Sequence, residues 1–107
     1  MKKGKYLITG CAGFIGSNLV KHLYKKYNLI LVDDLSEGSK NNLPQSIRKK
    51  LIKRKIQDIK NLKMNNLKGI IHLAAQSSVP ISINQFYKSS TNNLNSTLKV
   101  FEIAKKY

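Results

Sequence analysis

Three glycines, spaced three residues apart within Gly10–Gly16, stand between an apolar segment and an amphipathic one. Residues 5–9 have the short apolar pattern of a buried strand. After the glycines, apolar side chains recur about every four residues, the spacing of one helix face. The chain is therefore predicted to run from a strand through a tight turn into a helix whose apolar residues are Ile15, Leu19, Val20, Leu23, Tyr24 and Tyr27.

A glycine turn that joins a strand to a helix is suited to binding phosphate. Glycine lets the backbone approach a pyrophosphate, and free N–H groups at the helix start attract its charge. A second apolar run, residues 28–32, ends at Asp33 and Asp34. A carboxylate there can accept hydrogen bonds from a ribose diol, which predicts a dinucleotide site that prefers NAD to NADP. The alternative interpretation is a structural turn followed by two surface acids.

The rest of the chain alternates strand-like and helix-like segments. Residues 51–57 predict a third strand with an exposed face, and residues 69–75 a fully buried fourth strand. A long helix is predicted from about residue 84, with an apolar face of Leu94, Leu98, Phe101 and Ala104. This alternation predicts an α/β fold of the Rossmann type. Its parallel sheet would have the order 3-2-1-4, helices on both faces, and a ligand cleft at the carboxyl ends of strands 1 and 4.

Length and composition limit the remaining classes of protein. A chain of 107 residues is at most one domain, and its 41% hydrophobic content supports a core. No apolar run approaches the about 20 residues that a membrane span needs. The single cysteine, Cys11, fits a reducing compartment, and no nearby base marks it as a nucleophile. We therefore expect a cytoplasmic protein with no membrane partner.

The net charge of +15 invites comparison with nucleic-acid-binding proteins. However, 18 of the 20 basic residues are Lys, whereas bidentate contacts to phosphates and bases favour Arg. The basic segment 48–55 leads into the predicted third strand and has the pattern of a solvated edge. We expect no dedicated nucleic-acid site, although a positive field attracts anionic substrates.

Taken together, five segments resemble the extended short-chain dehydrogenase/reductase family, and especially its NAD-dependent nucleotide-sugar epimerases and dehydratases. The resemblance runs along the chain in order and without long gaps. It implies an NAD-binding Rossmann domain, with a nucleotide-sugar substrate in the complete enzyme. The segments that carry it are Thr9–Asn18, Val32–Leu35, Asp58–Ile59, His72–Gln76 and Asn93–Thr97.

The resemblance also implies which residues contact the cofactor, from its pyrophosphate to its two ends. The implied contacts are Gly10, Gly13 and Gly16 with the Phe14 and Ile15 amides at the pyrophosphate, Asp33 and Asp34 at the adenosine ribose, Asp58 and Ile59 at adenine, the strand end Leu73, Ala74, Ala75 and Gln76, and Asn93 near the nicotinamide.

A loop on the substrate side favours one branch of the family. Ser78, Val79 and Pro80 belong to a stretch that resembles hexose epimerases acting on UDP-sugars. The dehydratases usually carry Glu at the position of Gln76, and Val-Asp where this chain has Val-Pro. The resemblance therefore favours a UDP-hexose 4-epimerase over a dehydratase or reductase.

The family's catalytic pair is a tyrosine and a lysine four residues apart on a helix, where the lysine charge lowers the tyrosine pKa. No Tyr-x-x-x-Lys occurs in these 107 residues, and we assign no catalytic residue and no metal ligand. We therefore expect residues 1–107 to be the partial NAD-binding domain of such an enzyme, inactive alone, with the catalytic and substrate-binding part absent. The complete enzyme is expected to be a homodimer. A non-catalytic nucleotide-sensing or interaction module is the alternative.

Some residues also have structural interpretations. His72, at the end of a buried strand, is predicted to be a hydrogen-bonded core histidine, and His22 a solvated one. Asp58 can cap the turn that follows it. Ser96 stands where the family usually has glycine, which is expected to alter slightly how closely the last helix packs.

Overall fold

The computed structural model of the protein describes residues 2–60, 64–74 and 86–107. Its strands and α-helices are β1 (Lys5–Thr9), α1 (Phe14–Leu23), β2 (Asn28–Val32), β3 (Leu67–His72) and α2 (Phe86–Lys106). Short 3-10 helices at Lys40–Asn42, Gln45–Lys50 and Ile56–Asp58 lie between β2 and β3. The predicted succession of strand, glycine turn, helix and strand is confirmed.

The described sheet is parallel, with β1 at its centre in the order β2-β1-β3. Ile8 of β1 lies beside Leu31 of β2 and Ile71 of β3. One isolated parallel bridge joins Val32 to Ile52 on the far side of β2. The predicted parallel topology is therefore confirmed, although the described residues form three strands and the expected third strand contributes only this bridge.

Residues 51–57 are not a strand, so that prediction is wrong. Ile52 alone pairs with β2: its amide donates to the Leu31 carbonyl at 2.8 Å, and its carbonyl accepts from the Asp33 amide at 3.2 Å. Residues 53–55 are all exposed, so they break the alternation of buried and exposed side chains that a half-buried strand requires. The chain turns there and enters the 3-10 helix Ile56–Asp58.

Two apolar clusters, one on each face of the sheet, form the core. Successive strand residues point to opposite faces, so the fully buried Leu7 and Ile8 of β1 belong to different clusters. The Leu7 cluster contains Ile103 of α2, and the Ile8 cluster contains Val20 of α1. The predicted placement of helices on both faces is therefore confirmed.

The apolar face predicted for the last helix is not the face that contacts the sheet. Leu94, Leu98 and Phe101 are 58%, 55% and 67% exposed. The face toward the sheet carries the buried Ser96 and Ile103, which are seven residues apart and therefore on one side of the helix. The helix itself is confirmed, but the more apolar stripe lies away from the described core.

Two further apolar segments are less buried than their sequence patterns indicate, and the prediction of a fully buried fourth strand is wrong. Ile15 is 68% exposed, because it lies in the first turn of α1 and not over the sheet. The side chains of β3 are mostly half-buried, because β3 is an edge strand of the described sheet. Among the residues described, no helix is long and apolar enough to span a membrane.

Candidate nucleotide-binding site

A cleft of about 420 Å³ opens at the carboxyl ends of the strands. Its walls come from the turn after β1, from Val32, Asp33 and Asp34 at the end of β2, from Leu73 and Ala74 after β3, and from α2. Parallel strands place their carboxyl ends at one edge of a sheet, so segments far apart in sequence meet there.

Two of the glycines are required by the shape of the turn itself. Gly10 has a φ of +70°, and a Cβ on it would lie 2.6 Å from the Leu73 carbonyl group. A Cβ on Gly16 would lie 2.2 Å from the Gly10 carbonyl oxygen. These contacts pack the turn against the segment after β3 and bring α1 close to β1.

The start of α1 faces the cleft without a cap. Gly13 occupies the N-cap position and offers no side chain, and the first turn contains no acidic residue. The helical hydrogen bonds begin with the one that the Ser17 amide donates to the Gly13 carbonyl at 2.9 Å. The amides of Phe14 and Ile15 lie before it in the chain. Helix starts leave such N–H groups unpaired and carry partial positive charge, so this end of α1 suits an anion.

Gly13 differs from its two neighbours in having room beside it. A Cβ there would meet only the Gly10 carbonyl oxygen, at an ordinary contact distance of 3.6 Å. Gly13 also lines the cleft. Packing within the described protein therefore does not require glycine here, whereas a phosphate lying close to the backbone would.

Asp33 is a buried carboxylate that ties the turn to the end of β2. One oxygen, Oδ2, accepts from the Ala12 amide at 2.9 Å, and the other, Oδ1, accepts from the Leu35 amide at 2.8 Å. Asp33 is only 8% exposed, so it is not the surface acid of the alternative interpretation. A carboxylate has about four acceptor positions, so the two amides do not use all of them, and Asp33 also lines the cleft.

Asp34 lies beside Asp33 on the cleft wall and is half-buried. Its Oδ1 accepts from the Ser36 amide at 3.0 Å and from the Ser36 hydroxyl at 2.8 Å. This local turn directs the chain away from β2 and leaves the second carboxylate oxygen outside both bonds.

His72 joins β1, β3 and α2 beneath the cleft. The Thr9 hydroxyl oxygen accepts from the Leu73 amide at 3.0 Å and the Ala74 amide at 3.2 Å, so its own proton is free to be donated. It lies 2.6 Å from Nδ1 of His72, which assigns Nδ1 as the acceptor and leaves the ring proton on Nε2. Nε2 then donates to the Thr97 hydroxyl at 3.3 Å.

Burial lowers the pKa of His72 below its ordinary value of 6.5, because the charged ring would lose hydration. His72 is hydrogen-bonded, as the sequence predicts, and half-buried; its neutral state follows from the lowered pKa, and His22 is exposed as expected. Ser96 is buried and lines the cleft, where its hydroxyl donates to the Asn93 carbonyl at 3.0 Å. Its side chain thus occupies the space between α2 and the end of β3.

Cys11 is fully buried inside the glycine turn. Burial, with the nearby Asp33 charge, raises the pKa of its thiol to about 12. The thiol therefore stays protonated at neutral pH and is a poor nucleophile.

The other predicted contacts fall into three groups. Asn93 lines the cleft from α2. Asp58 is exposed and Ile59 is buried in the core, and the cleft wall is formed instead by the neighbouring Ile56 and Gln57. The remaining predicted residues lie outside the described part of the chain: Ala75, Gln76, Ser78, Val79 and Pro80.

The cleft is also lined by Arg54 and Lys55, two cations for which the sequence predicts a solvated edge. They reach it because the chain turns after Ile52 instead of continuing as a strand. Three consecutive cationic residues at 53–55, which do not alternate between apolar and polar as a half-buried strand does, are the sequence signal for this turn. The cations add positive potential to a wall that also contains carboxylates.

These features fit a dinucleotide. The uncapped helix start offers N–H donors to a pyrophosphate, the space beside Gly13 leaves room for it, and Asp33 keeps acceptor positions for a diol. The parallel sheet and this cleft define a Rossmann-type α/β domain.

The sequence profile described as GDP-mannose 4,6 dehydratase matches residues 7–107. The chain belongs to this family of NAD-dependent epimerases and dehydratases. The resemblance inferred from the sequence motifs is therefore confirmed.

Known relatives agree with this assignment. A putative UDP-glucose 4-epimerase of Methanocaldococcus jannaschii is 34% identical over 94% of this chain. The solved UDP-N-acetylglucosamine 4-epimerase of Methanobrevibacter ruminantium, in complex with UDP-N-acetylmuramic acid, superposes with a TM-score of 0.85, at 33% identity over 99% of this chain. The UDP-glucose 4-epimerase of Thermus thermophilus, solved in complex with NAD, superposes at 0.80, with 26% identity over 96% of the chain.

The chain spans about a third of the length of these proteins: 34% of the first, 35% of the second and 34% of the third.

Proposed function

We propose that the cleft binds NAD and that residues 1–107 are the NAD-binding part of a nucleotide-sugar 4-epimerase. The observation that carries the proposal is the uncapped start of α1, whose Phe14 and Ile15 amides face a cleft wall with room beside Gly13. The cofactor's pyrophosphate would lie there, because this is where the described backbone offers unpaired donors.

The adenosine half of NAD would lie toward Asp33, Asp34 and the Ile56–Gln57 wall, and the nicotinamide half toward Leu73, Ala74 and Asn93. This direction follows from the free acceptor positions of Asp33, which suit the ribose diol. When bound, the nicotinamide supplies a reversible hydride acceptor. The residues described here bind and orient it.

Calorimetry with NAD and NADP tests the cofactor assignment. Asp33 repels a 2′-phosphate, so NADP is expected to bind about tenfold more weakly or worse. Asp33→Asn should reduce this difference, whereas the matched variant Asp34→Asn should keep most of it. Equal affinities of the unmodified chain for both cofactors would refute the role of Asp33.

The epimerase assignment rests on the named relatives and on the motif around Val79 and Pro80. A nucleotide-sugar dehydratase is the second candidate, because the matching profile is described as a dehydratase. The coding sequence after the Tyr107 codon tests both. An open frame with Tyr-x-x-x-Lys supports an enzyme, and assays of its product with UDP-glucose and UDP-N-acetylglucosamine distinguish epimerisation from dehydration. Failure to find that frame would favour a non-catalytic nucleotide-binding module.

A nucleotide-sugar substrate, a homodimeric enzyme and a cytoplasmic location complete the proposal. The first follows from the relatives, which include an epimerase solved with UDP-N-acetylmuramic acid. The homodimer is tested by sedimentation of the enzyme, and the location by fractionation of cells that express it.

A further inference from the structure

The peptide groups of Ala12, just before the start of α1, are held from two sides. The Ala12 N–H donates to Asp33 Oδ2 at 2.9 Å. The Ala12 carbonyl accepts from the Asn42 side-chain amide at 2.9 Å and from the Ser39 amide at 3.2 Å. These bonds fix two successive peptide planes, and with them the direction in which Gly13 enters the helix.

The segment that carries Asn42 is anchored independently of the turn. Leu43 is buried in the Ile8 cluster. The Arg48 guanidinium donates to the Leu43 carbonyl at 3.0 Å and to the Asn41 carbonyl at 3.1 Å. Asn42 itself is exposed, so its side chain fills no core space, yet its backbone is fixed on both sides.

Asn42 and Ala12 do not line the cleft, whereas Gly13, Phe14 and Ile15 do. The Ala12 carbonyl is a negative dipole end next to the place where an anion would lie, and Asn42 keeps it turned toward the outer side. Without Asn42 the carbonyl would keep only the longer bond from the Ser39 amide, at 3.2 Å, and a carbonyl held from one side could rotate and turn the following amides away from the anion.

We propose that Asn42 is a positioning residue for the anion-binding turn: by holding the Ala12 carbonyl, it keeps the amides at the start of α1 directed into the cleft. The inference rests on the proposed function, because its consequence for binding concerns the pyrophosphate of NAD. Its effect on the conformation of the turn, in contrast, can be measured in the ligand-free chain.

The test compares Asn42→Ala and Asn42→Leu with the matched control Asn41→Ala in the 107-residue protein. Asn42→Leu keeps the approximate side-chain size and removes the hydrogen-bond donor, so it replaces Asn42→Ala in the test if that variant does not fold. NAD affinity is measured by calorimetry, amide exchange in the ligand-free chain by NMR, and stability by thermal unfolding.

Both Asn42 variants are expected to bind NAD about five- to tenfold more weakly, because the turn would hold its binding conformation in a correspondingly smaller fraction of molecules. Amide exchange should rise at residues 12–16 alone, with the melting temperature little changed, whereas Asn41→Ala should match the unmodified chain. A general loss of protection across β1 and α1 would indicate a merely structural role and overturn the proposal.

Wild-type NAD affinity and unchanged exchange in both Asn42 variants would also overturn it. If the unmodified chain binds no NAD, the proposed function fails. The exchange at residues 12–16 then still decides whether Asn42 positions the turn.

Discussion

At the scale of single residues, Gly13 separates the requirements of folding from those of binding. Gly10 and Gly16 are held by contacts with the protein's own backbone, while Gly13 has open space on its side-chain face. Its backbone is extended, with φ −77° and ψ −179°, a conformation that any residue adopts. A side chain at Gly13 would therefore occupy the cleft and not the core.

Gly13→Val is expected to weaken NAD binding by at least about tenfold, since the branched side chain would fill the space a pyrophosphate needs. Its free energy of unfolding should fall only by the cost of valine at an N-cap position, about 1 kcal/mol, so the chain should still fold. Gly16→Val is the matched control and should unfold the chain, because its Cβ would lie 2.2 Å from a carbonyl oxygen. Normal NAD binding by Gly13→Val would show that the turn is only structural.

Asp33 shows how one residue serves structure and site together. Sequence spacing marks it as a ribose ligand, and the structure adds hydrogen bonds from two backbone amides. Those bonds could not be predicted, because they depend on how closely the turn after β1 approaches the end of β2.

At the scale of elements, the junction of β1, β3 and α2 depends on a neutral His72. Its ring contacts the hydroxyls of Thr9 and Thr97, with the Ser96 hydroxyl 3.5 Å away, and none of these groups titrates in the range of histidine. Protonating Nδ1 would remove the acceptor of the Thr9 proton, so acid should loosen the contact between the strands and α2.

The pKa of His72 is lower in the folded chain than its ordinary 6.5, so the unfolded chain takes up the proton first as pH falls. Stability is expected to be complete above about pH 6.5 and to decline below it, as urea unfolding at pH 5.5 and 7.5 can measure. His72→Gln should remove much of this difference, while the exposed control His22→Gln should retain it. A pH-independent free energy of unfolding in the unmodified chain would contradict this account.

For α2, the spacing of apolar residues predicts the helix but not which of its faces is buried. Both faces satisfy helical spacing, and the pattern favours burial of the more apolar one, with Leu94, Leu98 and Phe101. The sheet instead contacts Ser96, Val100 and Ile103. Because this face contains the buried Ser96, a count of apolar residues in the sequence does not identify it as the buried face.

At the scale of the whole molecule, an edge strand of the described sheet and an exposed apolar helix face favour self-association of the 107-residue chain. β3 is an edge of the described sheet, and the outer face of α2 exposes Leu94, Leu98 and Phe101. Exposed edges and apolar stripes pair readily with a second copy. The net charge of +15 opposes this, so added salt should promote association.

The double variant Leu98→Gln, Phe101→Gln is expected to lower the apparent mass of the chain in size-exclusion chromatography. Phe14→Gln is the matched control, because Phe14 is 83% exposed but lies on the cleft wall, and it should leave the mass unchanged. A monomeric unmodified chain at high salt would refute the expectation.

The sequence by itself determined the local order of strand, glycine turn, helix and acidic strand end, because each depends on spacing and on residues close along the chain. It also identified the family, since its motifs occur together and in order. Tertiary structure decided the rest. Whether residues 51–57 become a strand, which face of α2 is buried, and whether Asn42 reaches Ala12 all depend on contacts between distant segments, where packing and backbone hydrogen bonding override local pattern.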